Sequence, residues 1–306
     1  MSTSYAFTVM TPSYNRASTL PRVYESLLQQ DFSDFEWLII DDGSTDNTVE
    51  LVQSWIAEAK IPIRYKWQTN QHKKTAFNHG VREAHGELIV ALDSDDTILP
   101  DALSNMWQQW QAIPATERAH YIAVTGLCAR PDGQIVGDAY PQDVMSITSL
   151  DMSFKHQVRG EKFGCLQTSV LRQFPFPEDI RGFVPESLVW RKIARAGYKT
   201  RFVNQVYRTY FDSADSLSAE GARMGKQHAL GLILLARDTV QDCLPWFWDQ
   251  PKEFIKAAIR YTRFRLHLKD QGVVLPELAR LSDWRAKLLV AMCAPIGYAL
   301  YRRDAA

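Results

Sequence analysis

The feature that most restricts the fold is a pattern that recurs four times in the first part of the chain: a short apolar run, a polar loop, then a segment with helical periodicity. The apolar runs lie at residues 5–10, 37–40, 63–67 and 88–92. The helical segments lie at 18–29, 47–59, 75–84 and 101–110, with Ser18 the expected cap of the first. Leu20, Val23, Tyr24, Leu27 and Leu28 share one face of the first helix, and Val49, Val52, Ile56 and Ala59 one face of the second. Such alternation builds βαβ units and hence a parallel sheet covered by helices, an α/β fold. Ligands of these sheets bind beyond the carboxyl ends of the strands. Three polar motifs fall there, at residues 11–16, 41–45 and 93–96.

The third motif is the most charged. Residues 88–92 are unbroken apolar, the pattern of a strand buried on both faces, and they stop in Asp93, Asp95 and Asp96. In an extended chain Asp93 and Asp95 point the same way, whereas a turn beginning at Ser94 would converge all three. Crowded like charges need a cation or strong donors among them, and hard divalent ions such as Mn2+ or Mg2+ prefer carboxylate oxygen and phosphate. The competing reading is a solvated turn in which Asp95 or Asp96 caps the following helix.

The whole chain narrows the classes of function. Lys plus Arg and Asp plus Glu both number 35 in 306 residues, so no global charge points to nucleic acid. Cys128, Cys165, Cys243 and Cys293 are far apart, which argues against a zinc site or a disulfide framework and suits a reducing, cytoplasmic setting. The GxGxxG glycines of a dinucleotide site and the GxxxxGK[ST] phosphate loop are both missing from the sequence. A nucleotide phosphate would therefore depend on a metal held by carboxylates. The N-terminal apolar run is too short for a signal peptide, and residues 288–301, the nearest approach to a membrane span, are interrupted by Pro295 and Gly297.

Beyond residue 110 the sequence predicts a strand at 121–129, a hairpin return at 134–137 after Pro131-Asp132-Gly133, and a mobile polar loop at 146–160. A strand at 163–169, a helix at 187–196 and a last strand within 198–210 follow. Helices are expected at 225–242, 252–270 and 282–301, with a domain boundary near residue 215.

The order of motifs resembles the family 2 glycosyltransferases. The residues that carry the resemblance are TPSYNR at 11–16, DDGSTDNT at 41–48, KKTAFNHG at 73–80, DSDD at 93–96 and PESLVWRKI at 185–193, across residues 6–210. The resemblance implies the GT-A fold, a mixed and mainly parallel sheet flanked by helices. Residues 1–215 would form the catalytic domain, with 1–100 its nucleotide-binding half and 101–215 its acceptor-binding half, followed by a helical C-terminal region at 216–306. It also implies a nucleotide pocket. Thr11, Pro12, Tyr14 and Arg16 would lie along the nucleotide, Asp41 or Asp42 would accept from base or ribose, and Lys73 would donate to base or diphosphate. Asp93 and Asp95 match the DxD positions and would hold Mn2+ or Mg2+, Asp93 also reaching the ribose beside Ser94. Asn78 and Gly80 are expected to support their helix, and His72 and His79 to be solvated or packed against polar groups.

By the same resemblance Glu186 is the base that takes a proton from the acceptor hydroxyl, with Glu178 and Asp179 as fallbacks. Many members have an acidic pair at that point, whereas Ser187 follows here. Asp96, Glu161 and Lys162 are candidates for the acceptor or sugar rim, with Arg181 beside them and residues 211–218 as a closing loop. The implied reaction is an inverting, one-sugar transfer from a UDP-sugar to a glycan or lipid-linked saccharide of bacterial polysaccharide or lipopolysaccharide assembly. The QxxRW motif of processive members does not occur. Two alternatives stand beside this reading: a sugar-1-phosphate nucleotidyltransferase, which lacks its Gly-rich N-terminal loop here, and a scaffold that binds a nucleotide-sugar without catalysis. Lys252, Lys256, Arg260, Arg263 and His267 form a basic stripe, which together with residues 288–301 suggests peripheral contact with the cytoplasmic membrane face.

Overall fold

The computed structural model describes residues 5–180, 183–211 and 228–305. The four predicted repeats are all present: β1 (Tyr5–Ser13), α1 (Leu20–Leu28), β2 (Phe35–Asp41), α2 (Thr48–Glu58), β3 (Ile63–Trp67), α3 (Lys73–Glu83), β4 (Gly86–Ala91), and, after the two-residue β5 (Thr97–Ile98), α4 (Ala102–Gln111). Then come β6 (Tyr121–Ala129), β7 (Val144–Ile147), α5 (Ser149–Phe154), β8 (Lys162–Gln167), α6 (Thr168–Leu171), α7 (Ser187–Arg195) and β9 (Lys199–Thr209). Three helices close the chain: α8 (Ala229–Arg237), α9 (Pro251–Asp270) and α10 (Trp284–Ala305).

The strands form one mixed sheet in the order β3-β2-β1-β4-β8-β6-β9-β5, with β7 also on β9. Strands β1 to β4 are parallel to one another, and β8 joins β4 antiparallel. The chain starts at β1, moves outward through β2 to β3, then returns to place β4 on the other side of β1. That reversal is a topological switch point, and the crevice beyond the carboxyl ends of β1 and β4 is where an α/β sheet takes a ligand. The first and third polar motifs both end there. Phe7, Val9, Trp37, Ile39, Leu88 and Val90 are buried in the main core, and Met10, Leu38, Ile40 and Ile89 at the alternate positions are buried as well, the two-sided burial that the unbroken apolar runs imply.

Two compact units divide the chain. The first comprises 1–176 and 192–213, the second 177–191 and 214–306. The segment 177–191, assigned from sequence to the acceptor half, thus clusters with the C-terminal helices, where Ile180 and Val184 pack among Ala229, Ile233, Tyr261 and Phe264. Residues 212–218 of the expected closing loop, the start of the helix expected at 225, and Arg181 lie outside the described residues.

Several local expectations are corrected. Helix α1 starts at Leu20 rather than after Ser18, because Pro21, which has no N–H to offer, occupies its first turn; Thr19 stands at the N-cap without a side-chain capping bond, its hydroxyl donating to the Arg16 carbonyl instead. The hairpin expected at 134–137 reduces to a single antiparallel bridge between Ala129 and Ile135. The loop expected at 146–160 instead contains β7 and α5, whose Thr148 cap accepts from the Asp151 N–H at 3.1 Å. Six residues are too few to display a helical period.

Candidate active site

The first two motifs are joined by their own polar groups. Asn15 adopts φ 52°, a left-handed conformation that Asn tolerates, and its side chain accepts from the Thr45 N–H at 2.7 Å while its own N–H donates to Ser44 Oγ at 2.9 Å. Asp46 accepts from the Ala17 N–H at 3.1 Å and from the Thr48 hydroxyl at 2.5 Å. These bonds hold the loop after β1 against the loop after β2.

That framework consumes two residues expected on the ligand. Asp41 is fully buried: Oδ1 accepts from the Ser44 N–H at 2.7 Å and Oδ2 from the Tyr65 hydroxyl at 2.5 Å. The bond to Asp41 and burial, burial foremost, push the Tyr65 phenol far above its ordinary value. Thr11 is also fully buried, and its hydroxyl accepts from the Trp37 indole N–H at 3.0 Å. Both are corrected from ligand contacts to supports, because they are fully buried and bonded within the protein. Asp42 is almost buried, its Oδ1 accepting from Gln68 Nε2 at 2.7 Å and the Gln71 N–H at 2.9 Å, while Gln68 Oε1 meets His79 Nδ1 at 2.7 Å. Pro12 and Arg16 are half-buried, and Tyr14 stands 48% exposed with its ring accessible.

The expected roles of Asn78 and Gly80 have clear physical grounds. The Asn78 amide exchanges two hydrogen bonds of 2.9 Å with the backbone of Phe176. A Cβ at Gly80 would lie 2.0 Å from Met10 Sδ, so α3 requires glycine there to approach β1.

The carboxylates beyond β4 alternate. Asp93 and Asp95 are partly exposed, while Ser94 and Asp96 between and after them are buried, across a turn that the Asp96 N–H closes on the Asp93 carbonyl at 3.3 Å. Asp93 and Asp95 are therefore available to a ligand and Asp96 is turned inward. Asp96, expected on the rim, is corrected to an interior anchor: it pairs with Arg208 Nη1 at 3.2 Å and accepts from the Phe211 N–H at 3.1 Å. Burial, with Asp93 and Asp95 adding to it, raises its carboxyl to about 6 against the opposing pull of Arg208.

Arg208 is the residue sequence reasoning missed. It lies on β9, 5% exposed, with its guanidinium over the rings of Phe163 and Tyr210 at 5.1 and 5.5 Å. It faces Asp96, Asp93 at 3.6 Å, and Glu161 at 3.3 Å. The β5–β9 pairing, which sets Ile98 against Arg208, delivers it to the acidic turn. No local signal marked it, since β9 (KTRFVNQVYRT) carries Lys199 and Arg201 as well; only burial, which obliges a charge to find partners, sets Arg208 apart. Lys73, in the first turn of α3, reaches Asp93 at 2.7 Å. Burial acts to raise the Asp93 carboxyl, but Lys73, Arg208 and Arg16 together hold it below the ordinary carboxylate range.

Glu161, 51% exposed at its side chain, thus joins the cluster through Arg208. Lys162 sits over the Tyr140 ring at 5.7 Å and donates to the Arg159 carbonyl at 2.9 Å; burial lowers its ammonium from the ordinary value. Glu186 is exposed in the second unit, where its carbonyl accepts from the Val189 N–H at 3.0 Å as α7 begins. Glu178 and Asp179 are exposed in that unit as well.

Asp93 and Asp95 offer hard carboxylate oxygens on one accessible side, which suits a small divalent cation. No group of three His, Cys, Asp or Glu side chains able to hold a metal occurs among the described residues; an ion at Asp93 and Asp95 would need phosphate and water to fill its shell. With Lys73, Arg208 and Arg16 nearby, the arrangement can receive a diphosphate together with its counter-ion.

The chain is similar to known proteins in both sequence and fold. Residues 8–148 match the glycosyl transferase family 2 model. The chain is 28% identical over 239 residues to the GalNAc(5)-diNAcBac-PP-undecaprenol beta-1,3-glucosyltransferase of Campylobacter jejuni, covering 75% of this chain and 72% of that one. Its fold is similar to that of S. aureus TarS 1-349 in complex with UDP-GlcNAc, with a TM-score of 0.64 and 17% identity over 97% of this chain and 92% of that one. A mannosyltransferase from Pyrobaculum calidifontis, solved with GDP-Man and Mn2+, gives 0.56 and 20% over 98% and 82%.

Proposed function

Because the chain is a glycosyltransferase whose residues 8–148 belong to glycosyl transferase family 2, we propose that it moves one sugar from a UDP-sugar to a hydroxyl of a glycan or lipid-linked saccharide, with inversion and with a divalent ion at Asp93 and Asp95. The observation that carries this reading is the meeting of Asp93, Lys73 and Arg208 beyond β4, at the switch point of the sheet. Carboxylates and cations in contact there match a ligand that is itself a cation bound to a diphosphate. The C. jejuni relative, by its name, acts on an undecaprenol-linked saccharide, which supports a lipid-linked acceptor here.

The roles follow from exposure and charge. Tyr14 presents its ring to the uracil, while Pro12 and Asp42 border the base and ribose. Asp93 and Asp95 would hold Mn2+ or Mg2+, whose charge would draw the negative charge that develops on the departing diphosphate. Lys73 leaves Asp93 for a phosphate oxygen as the donor enters, and Arg16 adds positive charge on the same side. Arg208 keeps Asp96 and Glu161 in place behind the ligands, so the two outer carboxylates stay presented. Glu186 is the base in this reading, taking the proton from the acceptor hydroxyl.

Calorimetric titration of UDP with and without Mn2+ tests the reading. Binding is expected to require the metal and to weaken at least about a hundredfold in Asp95→Ala, with the melting temperature nearly unchanged because Asp95 is partly exposed. Equal UDP binding with and without metal, or in the variant, would overturn the metal assignment. Glu186→Gln should keep donor binding and lose transfer.

A further inference from the structure

Helix α10 has two unlike faces. Inward, Ala286, Leu289 and Cys293 are buried, and a Cβ at Gly297 would lie 2.7 Å from Thr262 Cβ on α9. Outward, Trp284, Leu288, Met292 and Ile296 recur every fourth residue and are 69, 51, 63 and 53% exposed. A helix lying on a protein surface ordinarily turns polar residues to water, so an apolar row of this length points to something that covers it.

The charges around the row indicate what that is. Asp283 is engaged by Arg285 at 2.8 Å, and Asp304 by Arg263 at 2.5 Å and His267 at 2.8 Å. These pairings correct the basic stripe read from sequence, since Arg263 and buried His267 face α10 rather than solvent. With both acids occupied, Lys287, Arg302 and Arg303 remain exposed on α10 without an ion pair among the described residues. The apolar row is thus bracketed by uncompensated cations at both ends. No helix among the described residues is long and apolar enough to cross a membrane.

We propose that α10 lies in the plane of a bilayer surface rich in anionic phospholipid. Trp284, Leu288, Met292 and Ile296 enter the boundary between headgroups and acyl chains, and Lys287, Arg302 and Arg303 meet lipid phosphates. Apolar burial alone binds weakly and reversibly, and the cations supply the second contribution that makes such attachment stable and specific for anionic lipid. This deepens the reading of a lipid-linked acceptor but uses no residue of the donor site.

The test is sedimentation of the full chain with vesicles of mixed phosphatidylglycerol and phosphatidylcholine, against vesicles of phosphatidylcholine alone. Binding to the mixed vesicles, weakened by salt, is expected. The variant Trp284→Glu, Met292→Glu should lose at least about tenfold in vesicle affinity, and reversal of Lys287, Arg302 and Arg303 to Glu roughly a hundredfold. UDP titration of each variant in solution reports that the fold and donor site are intact, so a failed vesicle result and a failed donor assignment remain distinct. No binding to mixed vesicles at low salt, equal binding to both vesicle types, or equal binding by the variants would overturn the proposal. So would a concentration-dependent dimer abolished by Trp284→Glu, Met292→Glu in a protein that ignores vesicles, which assigns the row to a second copy.

Discussion

The parallel half of the sheet carries buried carboxylates at both ends, and they are treated oppositely. At the amino end Glu36 is fully buried and surrounded by donors: the Thr8 hydroxyl at 2.8 Å, the His85 N–H at 2.9 Å and Arg64 at 3.0 Å, joining strands β1 to β4 at one point. At the carboxyl end Asp93, Asp96 and Glu161 share Arg208, Lys73 also reaches Asp93, and Asp95 stands beside them. One carboxylate with a full set of donors is a closed structural joint. Four carboxylates beside two contacting cations are unbalanced, and only Asp96 among them is buried. The difference teaches that a buried charge by itself does not mark a site; an acidic excess left open to solvent does.

The sharpest test of this contrast is Glu36→Ala. It strands the Thr8 hydroxyl, the His85 N–H and Arg64 around a buried gap, so unfolding free energy is expected to fall by about 3–5 kcal/mol. Urea denaturation measures the loss. Since Glu36 lies at the other end of the strands, UDP affinity of the folded variant should stay within about twofold of the parent. A large loss of affinity with little loss of stability would break the comparison.

At the opposite end Arg208→Gln should show the reverse balance. Asp93 and Glu161 are 37 and 51% exposed at their side chains and can be hydrated once the arginine is gone, and Asp96, already raised to about 6, can take a proton. The stability cost is therefore smaller, about 1–3 kcal/mol by denaturation, while metal-dependent UDP affinity falls at least about tenfold. Arg208→Lys keeps the charge but not the fork that reaches three carboxylates, so it should recover stability more than affinity.

How much of this was legible in the sequence follows the range of the interactions. The βα repeats and the switch-point motifs show in local periodicity, which is why strands β1 to β4 fall where the apolar runs predict. Asp93 and Asp95 could be singled out because they follow directly on the apolar run of β4. Arg208 could not be placed, since it meets Asp96 through a strand pairing more than a hundred positions away, which no spacing rule anticipates. Asp41 and Thr11 were misjudged for a related reason: whether a polar residue at a strand end faces ligand or interior depends on Tyr65 and Trp37, contributed by neighbouring strands. The outward row on α10 was equally hidden, because a nearly all-apolar helix reveals its exposed side only when its packing partner is known.

The smallest expected effect isolates the rim of the donor site from the frame that carries it. Tyr14 is half-exposed, whereas the loop it stands on is fixed by Asn15, Ser44, Thr45 and Asp46 rather than by its ring. Tyr14→Ala should leave the denaturation midpoint within error and weaken UDP by about three- to tenfold, the value of one aromatic stack of roughly 0.5–1.5 kcal/mol. Tyr14→Phe keeps the face and should retain most of the affinity. If Tyr14→Ala were instead as destabilising as Glu36→Ala, the ring would belong to the frame, and the carboxyl end of the sheet would be less open than its exposure indicates.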